Sequence, residues 1–92
     1  MPYSTATLVR VQGQATRLLH TLRAAKAGSA GNPMWSAVFW AEVERENVTM
    51  GLEPTIRSVL QGHGWIGPST LTAPRESLEN ELKVLSVSGA PA

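Results

Sequence analysis

The segment at residues 34–43 reads MWSAVFWAEV and carries no charged side chain before Glu42. If the segment is helical, apolar groups lie on every side of it, and a helix that is apolar all round has to be buried all round. A chain of 92 residues has little other protein with which to cover it. We therefore expect this helix to be the central element of the fold, or to be covered in part by a second copy or by another protein.

Length and composition indicate one folded domain over residues 1–92, with 89–92 as a loose tail. The 42% hydrophobic content argues against disorder. The sequence has no cysteine, which argues against a small secreted domain held together by disulfides. Because we find neither a signal-peptide pattern nor an apolar run long enough to span a membrane, we expect a cytoplasmic protein.

The sequence pattern favours an all-α fold. All seven acidic residues are Glu, which favours helices, and none is Asp, which favours caps and turns. The pattern predicts a small bundle of three to four helices at about 5–27, 33–50, 54–61 and 73–86. In the long first helix, apolar residues follow the a/d spacing of a heptad repeat: Leu8, Val11, Ala15, Leu18, Leu22 and Ala25. Gly13 weakens the middle of this helix by about 1 kcal/mol relative to Ala.

The second helix is bounded by Asn32 and Pro33 at its start and by Gly51 at its end. We expect Trp40 to lie inside and Trp35 to lie nearer an interface. In its second half, the expected core residues are Val43, Val48 and Met50, and the expected water-facing residues are Glu42, Glu44, Arg45, Glu46 and Asn47. Together its apolar stripes are wider than those of an ordinary amphipathic helix, which predicts a dimer.

The later helices are shorter. The third should turn Ile56, Val59 and Leu60 inward, and the fourth should bury Leu78, Leu82 and Leu85 on one face. Residues 82–88 alternate between apolar and polar side chains, so a helix and a short strand both remain open there.

Charge is distributed unevenly along the chain. Residues 1–31 carry a net charge of +4 and no acid, and residues 32–92 carry −3. The basic first helix could meet the acidic surface of a second copy or of a partner, or the phosphates of DNA. A helix-turn-helix around residues 54–80 would place Glu76, Glu79 and Glu81 on the recognition helix, and their charge has the wrong sign for DNA.

Catalytic and metal-binding patterns are weak. With no Cys and no Asp, a cysteine nucleophile and a Ser-His-Asp triad are excluded. The two histidines, His20 and His63, have no neighbours at zinc-ligand spacing. Glu42 and Glu46 lie one turn apart, and beside Arg45 they are expected to form a solvated face. We therefore predict a protein that is not an enzyme and binds no metal or cofactor.

The stretch Gly-His-Gly-Trp-Ile-Gly at residues 62–67 resembles a binding loop more than any other short segment. Its glycines permit close approach by another molecule, and Trp65 next to His63 could anchor it. The alternative is a tight turn that buries Trp65 and Ile66 in the core.

These features together predict a small regulatory protein that acts by stoichiometric protein–protein binding, as a homodimer. An inhibitor or anti-activator of a transcription regulator, or of another bacterial or phage target, is typical of this class. The candidate partner-binding residues are Trp35, Phe39, Arg10, Arg17, His63 and Trp65. The alternative function is a small DNA-binding repressor or antitoxin that uses the basic first helix.

Overall fold

The computed structural model describes residues 4–29, 34–64 and 76–88. These form four helices: α1 (Thr5–Ser29), α2 (Met34–Met50), α3 (Pro54–Gly62) and α4 (Glu76–Ser88). The described ranges contain no strand, which confirms the all-α prediction, and residues 82–88 belong to α4. The expected start of the fourth helix at residue 73, the loop from Trp65 onward and the tail at 89–92 lie outside the described residues.

Helix α1 is the central element and packs against α2, α3 and α4, while α3 also packs against α4. In the first half of α1, the Gln12 side chain donates a hydrogen bond to the Val87 carbonyl of α4 at 3.0 Å. In the second half of α1, Arg23 contacts Glu79 at 3.1 Å. Because the numbering rises along one helix as it falls along the other, α4 runs antiparallel to α1.

All four helices contribute to one hydrophobic core. The heptad spacing predicted for α1 is confirmed, since Val11, Ala15, Leu18 and Leu22 are all buried. The later helices add Ile56 and Leu60 from α3 and, as predicted, Leu78, Leu82 and Leu85 from α4. Val59 is partly buried against this core. The heptad face of α1 is therefore a contact between helices of the same chain.

The aromatic half of α2 is covered within a single chain. Phe39, Trp40 and Val43 have no exposed surface, and the rings of Phe39 and Trp40 meet edge to face with centroids 5.0 Å apart. The prediction that Trp40 lies inside is confirmed, and Trp35 is only partly buried. Burial of these rings removes the main reason for which the sequence predicted a dimer.

In the second half of α2, the expected orientation is confirmed for Val43 and wrong for Glu46, Val48 and Met50. Glu46 is buried with 4% of its surface exposed, whereas Val48 and Met50 are 74% and 56% exposed. The aromatic residues set the rotation of the helix, and Val43 marks the centre of its buried face. Glu46, three residues later, stays near that face, but Val48 is turned about 140° away from Val43.

One side chain of α1 is hydrogen-bonded to the turn between α2 and α3. Gly51 ends α2 as predicted, in the left-handed region with φ of 71°. The Gln14 side-chain amide donates to the Gly51 carbonyl, and the Glu53 backbone N–H donates to Gln14 Oε1, both at 2.9 Å. Pro54 then occupies the start of α3. Gln14 thus holds this turn on both sides.

Candidate functional site

Each cation of α1 pairs with a glutamate from a later part of the chain. The nitrogen–oxygen distances are 3.0 Å for Arg10–Glu53, 2.8 Å for Arg17–Glu46, 3.1 Å for Arg23–Glu79 and 3.5 Å for Lys26–Glu79. The acidic surface expected for the basic first helix is therefore present on the same chain. The DNA-binding alternative relies on these same four cations.

The pairs at the C-terminal end of α1 are tied to neighbouring side chains. The hydrogen bond from Arg23 lowers the pKa of Glu79 below its usual value, and the charge of Lys26 adds to this effect. Lys26 also lies over the Trp35 ring, 5.8 Å from its centroid, at the distance of a cation–π contact. Trp35 therefore contacts α1 within the chain.

A groove of about 280 Å³ lies between α1 and the end of α2. It is lined by Val9, Arg10, Gly13, Gln14, Arg17 and Met50, and we call it the α1–α2 groove. The five residues from α1 are either adjacent in sequence or three to four residues apart, so they lie along one side of the helix. Gln14 sets the position of Met50 relative to this side, because its hydrogen bonds fix the turn that follows α2.

The floor of the α1–α2 groove is apolar and accessible. Val9 is 61% exposed and Met50 is 56% exposed. A Cβ atom built on Gly13 would meet no other atom within 4 Å, so packing within the chain does not require glycine. A glycine in a helix interior costs about 1 kcal/mol relative to alanine, and such a departure from local preference is a feature of functional sites.

The two arginines of the groove present positive charge to solvent. The Arg10 and Arg17 side chains are 68% and 54% exposed, whereas their carboxylate partners on Glu53 and Glu46 are only 13% and 5% exposed. The carboxylates therefore lie beneath the guanidinium groups. Arg17 also donates from Nη1 to the Met50 sulfur at 3.1 Å, which orders the Met50 side chain at the edge of the groove.

Both guanidinium groups retain hydrogen-bonding capacity. Arg10 contacts Glu53 through Nε, and Arg17 uses only Nη1 for Glu46 and Met50. A guanidinium has five N–H donors, so each arginine has donors left over within the part of the chain that the structure describes. An anionic group entering the groove could accept hydrogen bonds from these donors.

The other predicted site residues do not line this groove. Phe39 is fully buried, so we assign it to the core and not to a contact surface. His63 is half-buried, with Nδ1 3.4 Å from the Ser77 hydroxyl, and Trp35 is engaged by Lys26. Trp65 lies outside the described residues. Among the five predicted site residues that the structure describes, it brings together only Arg10 and Arg17.

Val9, Gly13 and Met50 were not among the predicted site residues. The signal available in the sequence is that Val9 and Gly13 lie four residues apart, off the heptad face. Met50 carries no such signal, because its position depends on how α2 is rotated.

A second hollow, of about 420 Å³, opens at the start of α3 and is lined by Thr7, Glu53, Pro54, Thr55 and Ser58. It contains no exposed large apolar side chain, so we do not take it as a protein-binding site. In the described ranges, no cluster of three or more histidine, aspartate or glutamate side chains is placed to hold a metal ion. None of the described helices combines the length and the apolar character that a membrane crossing needs.

Comparison of this chain with models of protein families, with curated proteins and with solved structures found no match.

Proposed function

We propose that this chain is a small non-enzymatic regulatory protein that acts by stoichiometric binding to another protein. The observation that carries the proposal is the α1–α2 groove, where the exposed side chains of Val9 and Met50 lie beside two exposed arginines, Arg10 and Arg17. Exposed apolar groups bordered by polar ones are typical of contact surfaces between proteins. Gly13 lowers the stability of α1 relative to alanine although packing within the chain does not require it, and this supports the same conclusion.

The class of target that we propose rests on analogy with other small helical regulators. A cytoplasmic inhibitor or anti-activator of a bacterial or phage transcription regulator fits a short helical chain that has neither cysteine nor aspartate. DNA binding is the weaker candidate, because residues 32–92 carry a net charge of −3, which would repel a duplex.

Association with a second copy is part of this proposal. The outward face of α2 carries Val38 and Val48, which are 60% and 74% exposed, with Ala41 also exposed between them. A second copy could cover these side chains. Sedimentation at micromolar concentration tests the dimer, and a species of 9.9 kDa contradicts it.

The binding function is tested by affinity capture from the cell that produces the protein, with three forms of the chain as bait. Gly13→Leu fills the groove, and Gly28→Leu is its matched control, because a Cβ at either glycine meets no atom within 4 Å and only Gly13 lines the groove. We expect the wild type and Gly28→Leu to retain a partner at near-equimolar ratio, and Gly13→Leu to lose it.

Two results contradict the proposal. One is that no protein is retained by the wild type at a stoichiometric level. The other is that Gly13→Leu retains the same protein as well as the wild type does. Urea unfolding of all three forms verifies that they are folded when compared.

A further inference from the structure

We infer that the α1–α2 groove binds an acidic amphipathic helix of a different protein, in which two carboxylates two turns apart flank one aliphatic side chain. This inference rests on the proposed binding function and specifies the chemistry of the partner. It follows from the spacing of the arginines, from the apolar floor between them and from the distribution of glutamates in this chain.

The spacing of the two arginines sets the spacing of the partner's charges. Arg10 and Arg17 are seven residues apart on one helix, which is two turns and about 10.5 Å along the axis. A second helix packed along α1 matches this distance with carboxylates at its own positions i and i+7. Each carboxylate can accept hydrogen bonds from donors that the intramolecular pairs leave over.

The apolar floor of the groove determines which type of side chain the partner helix carries between its two carboxylates. Gly13 lies near the midpoint between Arg10 and Arg17, and it has no side chain to fill the space above it. An aliphatic residue at position i+3 or i+4 of the partner helix projects on the same face as its carboxylates. That side chain would enter above Gly13 and contact Val9 and Met50. Phosphate groups alone would leave these two apolar side chains uncovered.

A second copy of this chain does not supply the required pattern. Only one pair of its glutamates is seven residues apart, Glu46 and Glu53. Both lie beneath the groove in ion pairs with Arg17 and Arg10. On α4, the exposed residues Glu81 and Val84 provide one carboxylate and one apolar group, but position 88 is a serine. The occupant is therefore a different protein.

The probe is a synthetic helical peptide of about 18 residues, a length at which an isolated helix can form, with the pattern Glu-x-x-Leu-x-x-x-Glu. Titration of the labelled peptide with the full chain is followed by fluorescence anisotropy. A first control peptide moves one Glu to the opposite face at constant net charge, and a second replaces Leu by Ala. Gly13→Leu and Gly28→Leu serve as the paired protein variants.

We expect saturable binding with one peptide per chain. Moving one Glu, replacing Leu, or introducing Gly13→Leu should each weaken binding by about tenfold or more, whereas Gly28→Leu should leave it unchanged. Binding should also weaken as NaCl rises from about 0.05 M to 0.5 M, because exposed charges are screened. Amide chemical shifts should change at Val9, Gly13 and the end of α2.

Several results overturn the inference. They are equal binding of the peptide with the displaced Glu, tight binding of duplex DNA that competes with the peptide, and self-association that Gly13→Leu abolishes.

The capture experiment separates this inference from the proposed function. If a partner is retained through Gly13 but the peptide does not bind, then the chemistry assigned to the partner is wrong and the binding function stands. If neither is observed, both are wrong.

Discussion

Arg17 and Glu46 form an ion pair across the α1–α2 interface, 2.8 Å between Nη1 and Oε1, with a nearly fully buried carboxylate and a half-exposed guanidinium. A buried carboxylate is strongly destabilising unless a cation and hydrogen bonds compensate it. Arg17 supplies both from the surface. The same side chain also lines the α1–α2 groove, so Arg17 contributes both to the packing of α2 and to the charge of the groove.

Replacement of Arg17 by Ala should destabilise the fold by about 1–3 kcal/mol, because it leaves the Glu46 carboxylate buried without its partner. Glu46→Gln removes the buried charge and should cost less. The double variant should be more stable than the sum of the single effects predicts, with a coupling free energy of about 1 kcal/mol or more. Urea unfolding of the four forms measures this cycle. Additive effects would show that the two side chains act independently.

The two glycines that border the α1–α2 interface should respond to alanine in opposite directions. Gly13→Ala should stabilise the fold by about 0.5–1 kcal/mol, since the added methyl group meets no atom and the helix gains propensity. Gly51→Ala should destabilise it by about 1–2 kcal/mol, because Gly51 has a φ of 71°. Thermal and urea unfolding give the two signs. A loss of stability for Gly13→Ala would mean that the fold itself needs this glycine.

Gln14 should be essential for the order of the turn between α2 and α3. Gln14→Ala leaves the Gly51 carbonyl and the Glu53 N–H without their side-chain partner, at a cost of about 1–3 kcal/mol. Hydrogen exchange of the Glu53 amide should accelerate more than exchange in the centre of α1. Gln12→Ala is the matched control, since the Gln12 side chain makes one hydrogen bond within the described residues, to the Val87 carbonyl at an exposed site. Equal effects of the two variants would contradict the role of Gln14.

The helices could be predicted from the sequence because their signals are local. Heptad spacing in α1, Gly51 as the stop of α2 and the leucine spacing of α4 each depend on residues within a few turns of one another. The core residues of α1 and α4 followed in the same way, as with Leu18 and Leu82.

The rotation of α2 could not be predicted, and the groove depends on it. Phe39, Trp40 and Val43 offer several directions of nearly equal apolar character, and only packing against the other helices decides between them. Glu46 was expected in water because an isolated carboxylate avoids burial. The sequence does not show that Arg17, 29 residues away, reaches it. For the same reason, the exposure of Met50 becomes visible only in three dimensions.

Alanine substitutions at core and at surface positions of α2 should differ clearly in how much they lower the stability of the fold. Trp40→Ala and Phe39→Ala should each destabilise the chain by about 3–5 kcal/mol, because both side chains are fully buried. Val38→Ala, at a position 60% exposed, should change stability by less than about 0.5 kcal/mol. Far-UV circular dichroism during urea unfolding compares them. A folded, fully stable Phe39→Ala variant would place Phe39 on a contact surface instead of in the core.

The pairs made by Glu79 should give the fold a specific dependence on pH. Hydrogen bonding from Arg23 holds the pKa of Glu79 below its usual value, so the folded chain binds this proton more weakly than the unfolded chain does. The stabilisation is therefore fully present above the unfolded pKa of about 4.3 and is lost as the pH falls through the lower, folded pKa. Because the pair lies at the surface, its contribution is about 1 kcal/mol or less.

Urea unfolding of the wild type and of Glu79→Gln at pH 7 and at about pH 2.5 checks this dependence. The wild type should be the more stable at neutral pH, and the difference should shrink at acid pH as the folded chain also takes up the proton on Glu79. Glu81→Gln is the matched control on the same helix, because Glu81 is exposed and makes no ion pair with any arginine in the described ranges. A constant difference between wild type and Glu79→Gln across this range would mean that Glu79 contributes through packing, and that its charge contact with Arg23 adds nothing to stability.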